Sequence, residues 1–394
     1  MNRGYEQFEG QWEERAQLAW DTLAMKPTRG IPHGMLNIMD WALLETLAEA
    51  NPGDYERAPE DVYLAAQRKL GACYCCQWIP RNPLTMRAHG YQSDTDRGAT
   101  TGTETVVVDG RTIASPEDVA EHLEQIEFPR MIQKSNETDP DNAEAVAALI
   151  AQEVKVQDLF GTNLLKGPYA DGFQAFPRFR YGRYGYENYF MAYALFPDLM
   201  EKDFELQADL AEKLNARAAR AMLQGGLPRM VRLDHDMADS RGTLVDIRSL
   251  DRIWLPQFAR SIRPFLDAGI RLTWHCDGNL MQMVPRLLEA GLGGFQGFQY
   301  EDGMDYEAIC QMTDRDGNPL LIQAGCSVTT TLPHGTPDDV RKELRWVVDM
   351  GPKTGLFLSA TSSIAPGTNR DNVLTFIEGL EYYREHGRHA ECGT

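Results

Sequence analysis

The sequence lacks a long apolar segment. None of its apolar runs approaches the roughly 18 consecutive residues that a membrane-spanning helix needs. The N-terminal stretch MNRGYEQFEGQWEERAQLAW is too polar for a signal peptide. We therefore expect a cytoplasmic protein that makes no contact with a membrane.

Basic residues are scarce relative to acidic ones. The 394-residue chain has 39 lysines and arginines against 58 aspartates and glutamates, which gives a net charge of −19. A surface of this sign repels the phosphates of nucleic acids and anionic lipid headgroups. We expect no nucleic-acid partner. The 43% content of hydrophobic residues is enough for a large folded core.

Signs of a disulfide framework and of domain boundaries are also missing. The seven cysteines are an odd number, and three of them lie together in GACYCCQW, a pattern typical of reduced thiols on a buried strand. No repeat, low-complexity stretch or flexible linker divides the sequence. Residues 1–394 are therefore interpreted as one domain.

The N-terminal half predicts helices and one hairpin. Residues 1–28 form a helical extension in this interpretation, because residues 1–25 have an amphipathic pattern. The segment GTETVVVDGRTI contains two β-rich runs joined by Asp109-Gly110, which predicts a hairpin insertion over residues 103–113. The segment SPEDVAEHLEQI begins with a Ser–Glu capping signal, which predicts another helix.

The C-terminal half alternates short apolar runs with amphipathic helices. Five such runs lie in PRMVRLDHDM, IRLTWHCDGN, LGGFQGFQYEDG, PLLIQAGCSV and TGLFLSATSS. The short connections indicate parallel strands joined by right-handed crossovers. Three further strands are predicted upstream, in GIPHGMLNI, KLGACYCCQWIP and GFQAFPRFRYGRYG. Eight parallel strands close into a (β/α)8 barrel of the TIM type. An open doubly wound sheet is the rival fold, but the sequence lacks the glycine-rich phosphate fingerprint that such sheets commonly use.

Polar residues follow the predicted strands, at the end of a barrel where active sites lie. The run LTWHCDGN, residues 272–279, ends in His275 and Asp277, which point to the same side because side chains alternate along a strand. Cys276 then points to the other side, toward the helices. The same parity groups Asp234 with Asp236.

These side chains, together with Glu301, predict several carboxylates around one imidazole. Such a cluster raises the pKa of at least one carboxyl group or binds a cation. We expect the catalytic residues to be His275, Asp277, Glu301, Asp234 and Asp236. The structural alternatives are helix capping for each aspartate and a hydrogen-bonded core position for the histidine.

A second set of polar and aromatic residues predicts substrate contacts. It consists of Gln299, Tyr300, Trp78, Asn82 and Arg180. Apolar walls for the pocket could come from Trp78, Met86, Phe298, Tyr300, Met281 and Met283, although such residues are more often simple core. Arg178, Arg180 and Arg183 could equally be surface ion-pair partners.

Several motifs together resemble the uroporphyrinogen decarboxylase superfamily. They are LDHDMADSRG, LTWHCDGNLMQMVPRLLEAGLGGFQ, GMDYEAI, HGTPDDVRKELR and LSATSSIAPGTNRDNVLTFIEGLEYYREHG. The resemblance is best over residues 228–388, and weaker similarity extends over most of the chain. It implies a (β/α)8 barrel, and the superfamily also contains cobalamin- and coenzyme-M-linked methyltransferases. Members are often homodimers, so the resemblance implies a homodimer.

Two departures from the superfamily bear on function. The haem-pathway decarboxylases have an arginine pair near the N-terminus that holds substrate carboxylates, and the corresponding segment here, RGIPHGMLNIMDW, lacks it. The zinc methyltransferases carry His-x-Cys after the fifth strand and a second cysteine after the eighth. In this chain His275 matches the histidine, Asp277 stands at the first cysteine and Ser362 at about the second. Oxygen groups thus replace two thiolates, so thiol activation by zinc is in doubt.

The resemblance implies a methyltransferase that demethylates a small compound, such as a methoxylated aromatic or a methylamine, and passes the methyl group to a corrinoid protein. A zinc ion held by His275, Asp277 and Glu301 is one expectation, and a metal-free site is the other. The alternative function is a cofactor-independent decarboxylase or lyase, with Arg178, Arg180 or Arg183 binding a carboxylate. A non-catalytic binding protein is the third possibility, since fold alone does not fix function.

Overall fold

The computed structural model describes residues 4–85, 106–169 and 171–388. In these ranges the chain forms eleven short strands. In chain order they are β1 (Tyr74–Cys75), β2 (Val106–Val108), β3 (Arg111–Ile113), β4 (Leu165–Lys166), β5 (Met230–Asp234), β6 (Ala238–Asp239), β7 (Gly242–Thr243), β8 (Arg271–His275), β9 (Gly294–Gln296), β10 (Leu321–Ala324) and β11 (Leu356–Leu358).

Helices surround these strands. The α-helices are Glu14–Leu23, Trp41–Leu47, Asp54–Arg57, Pro59–Leu70, Pro116–His122, Phe128–Glu137, Ala143–Phe160, Tyr181–Tyr184, Tyr186–Leu195, Pro197–Gln224, Ile247–Ser249, Leu255–Asp267, Val284–Ala290, Tyr306–Cys310, Thr331–His334, Pro337–Met350 and Arg370–His386. Turns of 3-10 helix are Gly4–Phe8, Asn82–Thr85, Asp171–Phe173 and Tyr300–Asp302, and π-helical turns are Leu123–Glu127 and Leu250–Trp254.

Five of the strands form one parallel sheet, in the order β11-β10-β9-β8-β5. Every strand-to-strand connection within it passes through a helix, as parallel pairing requires. The strands are buried almost throughout, because helices cover them. Local signals fix the covering helices: the helix Pro337–Met350, for example, begins with a capping box between Thr336 and Asp339.

Further parallel pairings extend the sheet beyond β11. His33 pairs with Leu358 of β11, and Gly34 pairs with Tyr74 of β1. β1 pairs in turn with β4. The order of parallel segments is therefore β4, β1, residues 33–34, β11, β10, β9, β8 and β5, which makes eight. In the described ranges, β4 and β5 at the two ends of this order share neither a ladder nor a single bridge. The fold is mixed α/β around a parallel sheet, as the strand–helix alternation predicted.

The third predicted strand is wrong. Residues 172–185 contain the end of a 3-10 turn, an irregular stretch and the short helix Tyr181–Tyr184, and the strand that pairs with β1 is instead β4. Pro177 explains part of this, because proline has no N–H to donate to a ladder. Phe176 and Phe179 are nevertheless buried, packed against the ring of His235. Their apolar character reflects the core and not a strand.

The N-terminal helices and the hairpin agree with the sequence pattern where the structure describes them. Gly4–Phe8 and Glu14–Leu23 are helical, with a break near Gly10. β2 and β3 pair in antiparallel fashion around Asp109-Gly110, both of which have positive φ. Residues 103–105 of the predicted hairpin lie outside the described residues. The interpretation as a single domain stays a prediction.

Two expectations about composition can be compared with the structure. The six described cysteines are all free thiols, five of them buried, so reduced thiols are confirmed there. Among the described residues, none of the helices combines the length and the apolar character required to cross a bilayer.

Candidate active site

A cavity of about 280 Å³ lies at the carboxyl ends of the parallel strands. Polar side chains predominate in its lining, and they come from most of the strand ends: Asn37, Gln77, Asn82, Arg232, Asp234, His275, Asp277, Gln296, Gln323, Ser362 and Ser363. A larger cavity of about 660 Å³ lies at the opposite, amino ends of the strands, next to Arg229 and Gly293. The smaller cavity is the candidate site, because the carboxyl end carries the chemistry in sheets of this kind.

His275 ends β8 and is 8% exposed. Its Nδ1 lies 3.2 Å from the carbonyl oxygen of Gln296. Since a carbonyl can only accept, Nδ1 carries the proton of the neutral ring and Nε2 has a free lone pair. That Nε2 lies 3.7 Å from Asp277 Oδ1. The histidine is therefore oriented to take a proton or to bind a metal ion through Nε2.

Asp277 and Asp236 lie beside this imidazole. The backbone N–H of Asp277 donates to Asp236 Oδ1 over 2.9 Å, and the Ser362 hydroxyl donates to Asp277 Oδ2 over 3.3 Å. Burial raises the pKa of Asp236, and the negative charge of Asp277 raises it further. Two carboxylates thus share a confined space, which favours a proton or a cation between them.

The residues present fit a divalent metal ion. Ligand atoms of Asp236, His275 and Asp277 all lie within 4.8 Å of one another. Asp277 Oδ1 is buried and has no hydrogen-bond partner among the described residues. A histidine that donates its other N–H to a backbone carbonyl is the usual arrangement behind a metal ligand. One imidazole and two carboxylates suit zinc with an open coordination position.

Cys276 takes no part in this group, as the strand parity predicted. Its Sγ accepts a hydrogen bond from the backbone of Met237 over 3.3 Å. Burial raises the thiol pKa, so the thiolate that a metal would need is disfavoured.

Arg232 brings a buried positive charge under the cavity. It is 7% exposed, and its Nη2 donates to Asp234 Oδ2 over 2.6 Å. Its Nη1 donates to Gln77 Oε1 over 3.2 Å, and the Tyr169 hydroxyl donates to Asp234 over 3.1 Å. Burial alone would raise the pKa of Asp234, but Arg232, His275 and Tyr169 together hold it below its usual value. Asp234 is therefore an ionised partner of Arg232.

Glu301 does not join the cluster. It is exposed, and its Oε1 accepts hydrogen bonds from the hydroxyls of Ser327, over 2.9 Å, and Thr329. Of the five predicted catalytic residues, the structure brings together His275, Asp277, Asp236 and Asp234. The expected metal set of His275, Asp277 and Glu301 is corrected here to a group in which Asp236 takes the place of Glu301.

The predicted substrate contacts lie in different places. Asn82 lines the cavity. Gln299 lies next to it and accepts a hydrogen bond from the N–H of Gly278. Tyr300 packs against Tyr306 and Trp346, and its hydroxyl donates to the carbonyl of Gly325 over 3.1 Å, on the helical side of the strands.

Trp78 and Arg180 also lie outside the cavity lining. Trp78 packs edge-on against Tyr63 and Phe160. Arg180 donates two hydrogen bonds to the fully buried Asp203, from Nε to Oδ2 over 2.9 Å and from Nη2 to Oδ1 over 2.8 Å. It is an ion-pair partner, but in a buried pair and not at the surface as the structural alternative had it.

The expected apolar walls are not where the sequence placed them. Phe298 and Met283 are fully buried, and Met281 packs against the hydrophobic core. Met86 lies outside the described residues. Apolar contact in the cavity comes from other residues, namely Met35, Leu36, Tyr63, Tyr74 and Ile79.

A second group of potential metal ligands lies elsewhere, formed by Asp109, His122 and Glu127. Arg183 pairs with Asp109 over 2.9 Å and with Glu127 over 2.7 Å, and Arg130 pairs with the same two carboxylates. The two arginines neutralise the carboxylates of Asp109 and Glu127, and they would repel a metal cation. The ion pairs instead tie the hairpin turn at Asp109 to the helical segments that carry Arg130 and Arg183.

The sequence interpretation missed Arg232, Gln296 and Gln323, all of which line the cavity. Each is a polar residue inside an apolar strand run, in the segments MVRLD, GFQ and LIQA. Arg232 also lies two positions before Asp234, which puts both side chains on the same face. The available signal was a polar residue inside an apolar strand, on the same face as the candidate residue at the end of that strand.

Comparisons with known proteins give similarity in structure only. No family model matches the sequence, and no curated protein matches it. The chain is similar to the solved structure of a methyltransferase from Methanosarcina mazei, with 15% sequence identity and a TM-score of 0.54, over 94% of this chain and 98% of that one. Weaker similarity links it to a B12-independent methionine synthase from Shewanella sp. W3-18-1, with 13% identity and a TM-score of 0.33 over 47% of this chain and 55% of that one. The similarity to the M. mazei protein shows a shared fold.

Proposed function

We propose that this protein is a methyltransferase that removes a methyl group from a small methylated compound and passes it to a corrinoid protein. The observation that carries the proposal is the cluster of His275, Asp277 and Asp236 at the carboxyl end of the parallel strands. The fold shared with the M. mazei methyltransferase over nearly the whole chain supports it.

We also propose that the strands close into a (β/α)8 barrel of the uroporphyrinogen decarboxylase superfamily. Seven of the eight neighbouring pairs needed for closure are present as ladders or single bridges. The remaining pair, β4 and β5, is linked through side chains: Tyr169, three residues after β4, donates to Asp234 at the end of β5. The homodimer and the corrinoid partner stay predictions.

Transfer of a methyl group from oxygen or nitrogen moves the methyl carbon to a nucleophile, while the bonding electron pair stays on the leaving atom. That atom must gain a proton or bind a Lewis acid. A zinc ion held by His275, Asp277 and Asp236 would supply the Lewis acid. The side chains that line the cavity would hold the donor in line with the attacking nucleophile and restrict the access of water.

The proton required by the leaving atom has a source in the same cluster. Burial and the charge of Asp277 raise the pKa of Asp236, so this carboxyl group keeps its proton to higher pH than an exposed aspartate does. A site without metal would use it as the general acid. The buried Arg232–Asp234 pair keeps the cavity floor in one conformation.

The decarboxylase alternative loses the arginines on which it depended. Arg180 is held by Asp203, and Arg183 by Asp109 and Glu127. Arg178 lies over the ring of Phe176 and donates to the carbonyl of Gln174 over 3.1 Å. None of the three lines the cavity that contains His275. Release of carbon dioxide from a small acid, without methyl transfer, would favour that alternative.

The direct test mixes the purified protein with reduced cobalamin and a panel of methoxylated and N-methylated compounds, and follows methylcobalamin by its absorbance. We expect turnover with at least one compound and its loss in His275→Ala. His334→Ala is the matched control, because that histidine is exposed. Full activity of His275→Ala, or no methyl transfer from any compound, would contradict the proposal.

Metal binding is tested separately by elemental analysis and by competition with a chelator. We expect Asp277→Ala and Asp236→Ala to lower zinc affinity at least tenfold, since each removes one of three ligands. Glu301→Ala is the matched control, because its carboxylate lies apart from the cluster. Equal effects of the three substitutions would show that the cluster is not the zinc site.

A further inference from the structure

Four polar side chains lie in one row across neighbouring strands. Asp234 of β5 pairs with His275 of β8, His275 pairs with Gln296 of β9, and Gln296 pairs with Gln323 of β10. All four line the cavity. Adjacent strands are about 4.8 Å apart, so the two glutamines begin about 5 Å from the imidazole and extend to about 10 Å.

The amides of this row have free hydrogen-bonding capacity. Gln296 is 9% exposed, and its Oε1 has no partner among the described residues. The side chain of Gln323 likewise has no hydrogen-bond partner among the described residues. Two more unpaired buried oxygens in the same lining are Asn37 Oδ1 and the Tyr74 hydroxyl. A buried polar group without a partner destabilises a fold, so such a concentration is typical of a site that receives a ligand.

The bare backbone at Gly34 makes room for the amide of Gln323. A Cβ at Gly34 would lie 2.8 Å from Gln323 Nε2, so any larger residue there would displace the amide. Gly34 itself pairs with Tyr74 and lines the cavity. The Gln323 amide therefore lies against bare backbone at one wall of the cavity.

The one buried arginine among the described residues of the cavity lining is already paired. The guanidinium of Arg232 is held by Asp234 over 2.6 Å and by Gln77 over 3.2 Å. A ligand carboxylate would have to compete with Asp234 for this cation. An amide side chain, in contrast, offers one acceptor and two donors without any net charge.

We propose that Gln296 and Gln323 form a subsite for a neutral planar group with both hydrogen-bond donors and acceptors, such as a carboxamide or a urea. This inference rests on the proposed function: the methyl donor is then a small non-aromatic compound whose neutral head group binds the amides while its methyl group lies near His275. The cavity of about 280 Å³ and its polar lining agree with a compound of this size.

The test measures binding of three small probes, acetamide, acetate and toluene, to the full-length protein by ligand-detected NMR. We expect acetamide to bind at least tenfold more tightly than the other two. Gln323→Leu and Gln296→Leu should each weaken acetamide binding at least tenfold. Gln282→Leu is the matched control at an exposed position.

The two proposals fail in different ways. Tighter binding of acetate or toluene, binding of none of the probes, or unchanged acetamide affinity in both leucine variants would overturn the subsite. The probe preference of the unaltered protein decides the matter even if a variant fails to fold. Selective acetamide binding without methyl transfer from any donor would retain the subsite and contradict the proposed reaction.

Discussion

Gly297 determines where the imidazole of His275 can lie, and its replacement by alanine tests this. Its φ is +79°, and a Cβ there would lie 2.5 Å from His275 Nδ1. Alanine in this backbone conformation costs about 1–2 kcal/mol. Moving the imidazole adds roughly 1–3 kcal/mol, the usual range for overpacking a core. We expect Gly297→Ala to lower the free energy of unfolding by about 2–5 kcal/mol in total.

Gly367 provides a matched control. Its φ is +81°, and an added Cβ would meet nothing within 4 Å. Gly367→Ala therefore reports the backbone cost alone. Urea unfolding of both variants, followed by tryptophan fluorescence, gives the two free energies. Combining Gly297→Ala with His275→Ala removes the group that is displaced, so the excess cost at position 297 should disappear in the double-mutant cycle.

The same substitution should affect the proposed metal site. A displaced imidazole loses its hydrogen bond from Nδ1 to the carbonyl of Gln296. Loss of such a supporting bond typically weakens metal affinity about 10–100-fold. Equal destabilisation at both glycines, or an excess cost that persists without the imidazole, would refute the view that the absence of a side chain at 297 positions His275.

Two further predictions concern the buried charges around the site. Arg180→Ala should destabilise the fold by about 3–5 kcal/mol, because Asp203 stays buried without its partner. Zinc affinity, measured by chelator competition, should not change, whereas a substrate-binding role for Arg180 predicts the reverse. Burial lowers the pKa of His235 to about 3, with a smaller effect from the charge of Arg178. Below about pH 6.5 this histidine binds a proton in the unfolded chain but not in the folded one. The contribution of the neutral buried histidine to the free energy of unfolding is therefore complete above pH 6.5 and is lost toward pH 3, at up to about 1.4 kcal/mol per pH unit. His235→Gln, which keeps an acceptor for the Phe179 N–H, should flatten the slope of urea midpoints between pH 7 and 4.

The parallel sheet could be predicted from the sequence because its signals are local. Each of the five C-terminal strands is a short apolar run followed at once by an amphipathic helix, and that alternation implies parallel pairing. The strand β4 has only two residues, Leu165–Lys166, which is too short for any periodicity. The aromatic residues before Arg178 resembled a strand more strongly, yet they are buried in an irregular segment that proline interrupts. Tertiary packing overrode the local pattern there.

The side on which the site lies could be predicted from strand parity. Asp234 and His275 end two paired strands and point to the same side, and the hydrogen bond from the Asp277 N–H to Asp236 Oδ1 holds the next two acids beside them. Parity fails after Gln296, since the positive φ of Gly297 ends the strand. Residues 299 to 301 were therefore assigned to a strand end that the chain had already left. For the same reason Gln296 itself, the true strand end, was counted as part of the apolar run.

In the proposed reaction, the difference in charge between the His275 side and the glutamine side of the cavity would orient the methyl donor. Arg232 neutralises Asp234, which leaves Asp236 and Asp277 as the acidic groups beside the single imidazole of His275. That end favours a cation or a proton, the condition under which oxygen or nitrogen becomes a leaving group. The glutamine end is neutral and binds only by hydrogen bonds. A donor with its head group on the amides would thus carry its methyl-bearing atom to the acidic end, and the reverse orientation would leave the amides unpaired.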